Sequence, residues 1–362
     1  MDLTRRIEGV RGRLAETETD FALVTKPSNV VYLTGLVRVL DEHADAACLV
    51  GRDRCLLLTN FIYSTAARRA LAGSGWEVVE CADGIYKEAV SVLRSAGCGL
   101  VAVESSIPYG RFRFLSESLD GRVSVHEHWV EALRTVKEPE EIEHIREAAR
   151  LADRAFEYIL GRIEAGRSEM DVALDLEWFM RKEGSEGMPF APIVASGPNS
   201  ADPHAKASSR VLAEGDLVKM DFGARVDGYC SDMTRTVALG EPDERLAEVH
   251  ALVLEANRLG KEALKAGVSA STVDSAARRF LAEAGYEKEF GHGLGHGVGL
   301  DVHEAPRLGK NSEDSVPAGA VVTVEPGVYL EGIGGVRIED LVVVEDGGCE
   351  VLSGSSRELL RC

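Results

Sequence analysis

The first 130 or so residues place their apolar positions in short runs separated by polar or helical stretches. The runs are FALVT (21–25), NVVYLTG (29–35), AACLVG (46–51), CLLLT (55–59), EVVE (77–80), LVAVE (100–104) and VSVHE (123–127). Runs of this length, rich in β-branched residues, predict buried strands. Helical spacing predicts helices over Tyr63 to Leu71 and Ile85 to Ser95, and a polar amphipathic helix over the first 20 residues. Strands alternating with helices predict an α/β layer domain. His126 and His128 fall on one face of the last strand and read as structural.

The pattern changes near Leu133 to Pro139, which divides the chain into domains 1–132 and 133–362. From Pro139 a long amphipathic helix begins, with Ile142, Ile145, Ala149, Ala152, Phe156 and Ile159 at helical spacing. Pro139 suits its first turn, and acids crowd its start. A repeat follows: residues 164–184 and 265–285 share Ala-Gly, Ser, Val, Phe and Gly at an offset of 101. Ser168 and Ser269 sit where N-caps belong. Each copy follows a longer helix and precedes strand-like sequence, which predicts an α+β domain built from a duplicated helix–helix–sheet unit. Such a domain has an internal pseudo-twofold axis and a natural site between its halves.

Within the first copy, DLVKMDFGARVDGYCSDMTRT (216–236) predicts a β-hairpin turning at Asp227-Gly228. That register sets Val226 opposite Tyr229 and Gly223 opposite Asp232. Asp221 and Asp232 then share a face as diagonal neighbours, about 7–8 Å apart at the backbone. They read either as solvated strand acids or as ligands of a cation that offsets their repulsion. In the second copy, glycines alternate through FGHGLGHGVGLDVHEAPR (290–307). This predicts a strand with bare backbone on one face and His292, Leu294, His296 and Val298 on the other. His303 has the opposite parity and needs a bend to join them. AVVTVEPGVY ends an apolar strand at Glu325, and GGVRIEDLVVVEDG puts Arg337 and Glu339 on one strand face. Either glutamate reads as an ion-pair partner of Arg337 or as a ligand. His204 lies in a polar loop and reads as a surface histidine.

Size fits two domains, since 362 residues exceed the roughly 250–300 at which single cores stop growing. A net charge of −19, from 60 acids and 41 bases, argues against nucleic acid or anionic membrane as a partner. No run of about 18 apolar residues predicts a membrane span. No signal peptide and no C-x-x-C among seven cysteines predict reduced thiols in a cytoplasmic protein. No glycine-rich phosphate loop follows any strand.

Together Asp221, Asp232, His296, Glu325 and Glu339 offer four carboxylates and one imidazole, enough to balance two divalent ions. Such oxygen-rich ligation suits Mn²⁺, Co²⁺, Fe²⁺ or Zn²⁺. MDFGARVDGYCSDMTRT, HGLGHGVGLDVHEAPR, VEPGVY and GGVRIED, in this order, resemble the pita-bread metallopeptidases. The resemblance is to the proline-specific branch of Xaa-Pro dipeptidases (prolidases) and Xaa-Pro aminopeptidases, and it spans almost the whole chain. It implies a creatinase-like amino-terminal domain that pairs protomers in a homodimer and partly covers the site. It implies two metals, Mn²⁺ or Co²⁺ above Fe²⁺ or Zn²⁺, held by those five residues, with Asp232 and Glu339 shared between them. It implies a metal-bridging hydroxide nucleophile and short peptide substrates with proline at the second position. Glu325 would move the proton, His303 would steady the oxyanion, and His204 and His292 would line the substrate. Arg337 would orient Glu339 or the substrate, and Arg307 would hold a free substrate carboxylate. A related C–N hydrolase on a small non-peptide amide, or a non-enzymatic binding module of the same fold, are the other readings.

Overall fold

The computed structural model describes residues 3–40 and 43–362, so Met1 and Asp2 of the expected first helix lie outside the described residues. The chain separates into two compact units, 1–134 and 135–362.

The first unit runs α1 (Leu3–Glu16), β1 (Phe21–Val24), α2 (Pro27–Thr34), β2 (Ala46–Gly51), β3 (Cys55–Thr59), α3 (Phe61–Ala70) and β4 (Trp76–Glu80). It continues through α4 (Ile85–Ser95), β5 (Val101–Glu104), α5 (Tyr109–Ser118), β6 (Val123–His126) and α6 (Trp129–Thr135). Its strands form one six-stranded mixed sheet, β4-β3-β2-β1-β5-β6. β1 joins β2 antiparallel and β5 parallel, so helices must cross over the parallel edges.

NVVYLTG departs from expectation, because it is helix α2 and not a strand. Pro27 in its first turn pre-sets helical φ. Gly35 closes the helix in the left-handed region at φ 69°, donating its N–H to Val31 O. These two ends outweigh the strand preference of the β-branched residues between them. His126 ends β6, while His128 lies beyond the strand at φ 57°, so the two do not share a strand face.

The second unit repeats helix–helix–sheet. Its first half has α7 (Pro139–Leu160), α8 (Glu169–Lys182), β7 (Ile193–Ser196), β8 (Leu217–Phe222), β9 (Arg225–Val226), β10 (Tyr229–Cys230) and β11 (Met233–Ala238). Its second half has α9 (Glu244–Ala263), α10 (Ala270–Glu283), β12 (Gly295–Gly297), β13 (Glu304–Leu308) and β14 (Val321–Val324). β15 (Gly327–Leu330), β16 (Gly334–Arg337), β17 (Asp340–Glu345) and β18 (Gly348–Val351) complete it. The sheets are β11-β8-β7 and β13-β12-β14-β17-β18, with β10-β9 and β15-β16 as separate pairs. This is the duplicated helix–helix–sheet unit that the repeat predicts. Ser168 and Ser269 are the residues preceding α8 and α10, and Ser168 with Asp171 completes a capping box. Each half keeps its own apolar core, one against α7 and α8 and one against α9 and α10.

The predicted glycine strand is short: only Gly295–Gly297 pairs, between β13 and β14. A Cβ on Gly295 would stand 2.0 Å from Thr323 O, and one on Gly297 would stand 2.2 Å from Ala305 O. Bare backbone on both sides of His296 therefore lets two neighbouring chains close on it. Gly295→Ala is expected to cost about 1–3 kcal/mol through forced backbone displacement, read as a lowered denaturant midpoint. An unchanged midpoint would show that the contact yields without cost.

None of the described helices is long and apolar enough to cross a membrane. All seven cysteines are free thiols.

Candidate metal centre

The hairpin register is the expected one. Val226 pairs with Tyr229 and Phe222 with Met233, across a turn with Asp227 at φ 45° and Gly228 at φ 78°. Asp221, on β8, pairs with Thr234, so Asp232 is its diagonal neighbour. Both aspartates are buried, at 9% and 5% exposure.

Closure of the two halves brings the rest. Ligand atoms of Asp232, His296 and Glu339 lie within 4.8 Å of one another. His296 Nε2 stands 3.7 Å from Asp232 Oδ2 and 3.3 Å from Glu325 Oε1. Its Nδ1 faces Gly297 O at 3.1 Å. A carbonyl only accepts, so Nδ1 carries a proton and Nε2 is the nitrogen that faces the carboxylates. Thr323 Oγ1 donates to Glu325 Oε1 and accepts from His296 N, fixing both side chains. Glu339 Oε2 accepts from Thr234 Oγ1 at 2.7 Å.

Arg337 and Glu339 do not share an unbroken strand, because the chain breaks pairing between β16 and β17. The ion-pair partner of Arg337 is Asp221, at 2.5 Å from Nη2 to Oδ2. Its Nε donates to Thr234 Oγ1 at 2.9 Å, so it reaches Glu339 through that shared hydroxyl. Its Nη1 donates to Pro203 O and Tyr329 Oη.

Burial raises the Asp232 carboxyl well above its ordinary range, and the neighbouring Glu339, Asp221 and Glu325 charges add to the shift. Glu339 rises in the same way and for the same reasons, burial first. Asp221 rises through burial, against the pull of Arg337. Burial also opposes a charge on Glu325, yet its contact with His296 brings it down to about 2. Asp221 Oδ1 and Asp232 Oδ1 are buried without a hydrogen-bond partner. Buried carboxylates with orphan oxygens, beside the convergence of Asp232, His296 and Glu339, fit hard divalent cations and no anionic or apolar group.

Residues 143–346 match "Metallopeptidase family M24", and residues 6–136 match the "Creatinase/Prolidase N-terminal domain". The chain belongs to metallopeptidase family M24. An Xaa-Pro dipeptidase of Pyrococcus horikoshii is 34% identical over 99% of this chain and 99% of its own. The solved Xaa-Pro dipeptidase from Bacillus anthracis is 39% identical with a TM-score of 0.94, covering 99% of this chain and 100% of that one. The X-Pro aminopeptidase from Thermotoga maritima is 36% identical with a TM-score of 0.90, covering 98% and 99%. This M24 chain is thus a metallopeptidase with a creatinase-like amino-terminal domain.

The other expected residues of this M24 site lie around the cluster. The chain bends through 300–303 and returns His303 onto His296, with ring centroids 4.3 Å apart. His303 and His204 are exposed. Arg307, also exposed, sits opposite His296 on β13. His292 is half-buried, its Nε2 2.9 Å from Tyr329 Oη and its Nδ1 2.8 Å from Gly293 O.

Sequence reasoning missed Tyr329, Lys219, Thr234 and Thr323. Tyr329 joins Arg337 to His292, and burial pushes its hydroxyl up to about 12, so it stays a neutral donor. Lys219 Nζ donates to Ser200 O and Asp202 O and lies 4.9 Å over the Tyr329 ring. Burial lowers its amine to about 7. The parity of Lys219 and Asp221 on one apolar strand was the available signal, because a lysine inside such a strand needs acceptors.

Proposed function

We propose that this M24 metallopeptidase cleaves the amide between an amino-terminal residue and proline, using two divalent ions per chain. The convergence of Asp232, His296 and Glu339 on one volume carries this reading. The relatives named for Xaa-Pro substrates supply the substrate class. Asp221, Asp232, His296, Glu325 and Glu339 would hold the ions, Asp232 and Glu339 being shared. Mn²⁺ or Co²⁺ suits this donor set best, with Fe²⁺ or Zn²⁺ next. When bound, such ions supply a water of lowered pKa as the nucleophile and polarise the scissile carbonyl.

The protein's own groups do the rest. Arg337 and Thr234 hold Asp221 and Glu339 in place. Glu325 accepts a proton and delivers it to the leaving proline nitrogen. His303, next to His296, donates to the developing oxyanion. His204 and His292 line the substrate, and Arg307 pairs with the free carboxylate of a dipeptide. The creatinase-like domain pairs two protomers. Free cysteines throughout support a cytoplasmic enzyme.

The test is cleavage of Ala-Pro against Ala-Pro-Ala after chelation and readdition of Mn²⁺ or Co²⁺. Chelation is expected to abolish turnover and either ion to restore it. Cleavage of Ala-Pro alone makes the enzyme a dipeptidase, and Arg307→Ala should then raise KM for Ala-Pro about tenfold or more, the loss of one charge-assisted contact. Cleavage of the tripeptide makes it an aminopeptidase. Two bound metals with neither peptide cleaved would sink the proline reading and favour a small non-peptide amide.

A further inference from the structure

The segment Phe290 to Leu294 leads into His296 and carries His292, yet it belongs to no strand. Phe290 and Leu294 are buried at its two ends, but Gly291 and Gly293 between them add no packing and the largest conformational freedom of any residue type, so burial alone leaves the backbone between them unfixed. Something else must hold it. On α10, Asp274 and Arg278 form a doubly bonded ion pair, Nε to Oδ2 and Nη2 to Oδ1, both at 2.7 Å. Arg278 donates onward from Nη1 to Phe290 O at 2.9 Å and from Nη2 to His292 O at 2.7 Å. Its guanidinium lies 4.3 Å from the Phe290 ring centroid. Asp274 Oδ1 accepts from Leu294 N at 3.1 Å. Leu294 O in turn accepts from Glu325 N at 2.8 Å. Three backbone groups within five residues are thus tied to one pair.

We propose that Asp274 and Arg278 are positioning residues that fix this glycine-rich segment and so aim His292 at Tyr329 and the substrate. The duplication argues that the fold itself does not need them. At the repeat offset of 101, Asp274 and Arg278 correspond to Ala173 and Glu177 of α8. α8 instead places a different residue, the buried Glu169, against Ser196 N and Ser208 N in its own half. The Asp274–Arg278 pair thus belongs to the second half, where an irregular segment presents His292. Asp274 is fully buried, and a carboxylate so placed is strongly disfavoured unless each oxygen is bonded, as both are here.

The role assigned to His292 rests on the proposed peptidase reading, so two independent readouts are needed. The first is hydrogen exchange of the metal-loaded protein, which requires no substrate. Arg278→Met is expected to lose protection over residues 290–295 while the rest of α10 stays protected. Arg278→Lys, which keeps charge but not the two-pronged geometry, should recover only part of it. Unchanged protection at 290–295, or loss spread through the whole unit in both variants, would overturn the proposal. The second is a double-mutant cycle on the best-cleaved peptide. Arg278→Met is expected to lower kcat/KM about 10- to 100-fold in the wild type, the scale of a misplacement near 1 Å. It should lower it far less in a His292→Ala background. Equal losses in both backgrounds would mean that Arg278 does not act through His292. If the wild type cleaves none of the peptides, the proline reading fails and the exchange data still decide the clamp.

Discussion

Asp232→Asn is expected to lower kcat/KM by at least about 10³-fold, or roughly 4 kcal/mol of transition-state stabilisation. The change keeps shape and removes only charge. Asp232 is buried, one of its oxygens has no partner in the protein, and the other faces His296 Nε2 at 3.7 Å. An amide there offers one oxygen and turns an NH₂ toward the same volume, so the shared ligand proposed for this position would become a one-sided, uncharged one. Metal per chain after dialysis against Mn²⁺ should fall below two. The chelated variant should be more stable than the chelated wild type, because burial and three neighbouring acids disfavour the Asp232 charge. Activity and metal-free stability thus move in opposite directions. Two tightly held metals and full turnover in this variant would show that the hairpin does not supply the shared ligand.

Arg337→Met is expected to move both quantities downward. Arg337 is 3% exposed and donates to Asp221, Thr234, Tyr329 and Pro203 O. Methionine fills much of the volume but leaves Asp221 as a buried carboxylate without its partner. Breaking such a pair from one side costs about 3–5 kcal/mol, more than the pair itself contributes. Urea midpoints of the chelated protein measure this. Metal should restore part of the loss, since a cation beside Asp221 replaces the missing positive charge. Turnover should remain depressed in the reloaded variant, because Tyr329 and Thr234 have lost the donor that orients them. A midpoint within experimental error of wild type would mean that Asp221 is protonated in the metal-free protein and needs no partner.

Much of this site is decided by short-range rules. Asp227-Gly228 admits a two-residue turn, and that turn fixes which residues face each other up to Asp221 and Asp232. Ser168 marks a helix start through its capping hydrogen bonds and Pro139 through its fixed dihedral, each within three or four residues. The family motifs place the five proposed ligands in order, and the alternation of glycine with His296 marks where neighbouring chains close in. These signals lie within a few residues of the atoms they control, so the sequence alone determines them.

Tertiary structure decided the rest because the partners are far apart along the chain. Arg337 lies beside Glu339 in sequence, yet it pairs with Asp221, 116 positions away. Only closure of the two halves sets that distance. Residues 29–35 have strand composition, but end geometry at Pro27 and Gly35 and burial on several sides made them a helix. Residues 290–294 have the parity of a strand, but their carbonyls and amides bond to α10 and not to a neighbouring strand. Periodicity tells which side of an element a residue occupies. It carries no term for what the far end of the chain will bring to that side, and for Asp221, His292 and Glu339 that partner sets the aim of the group.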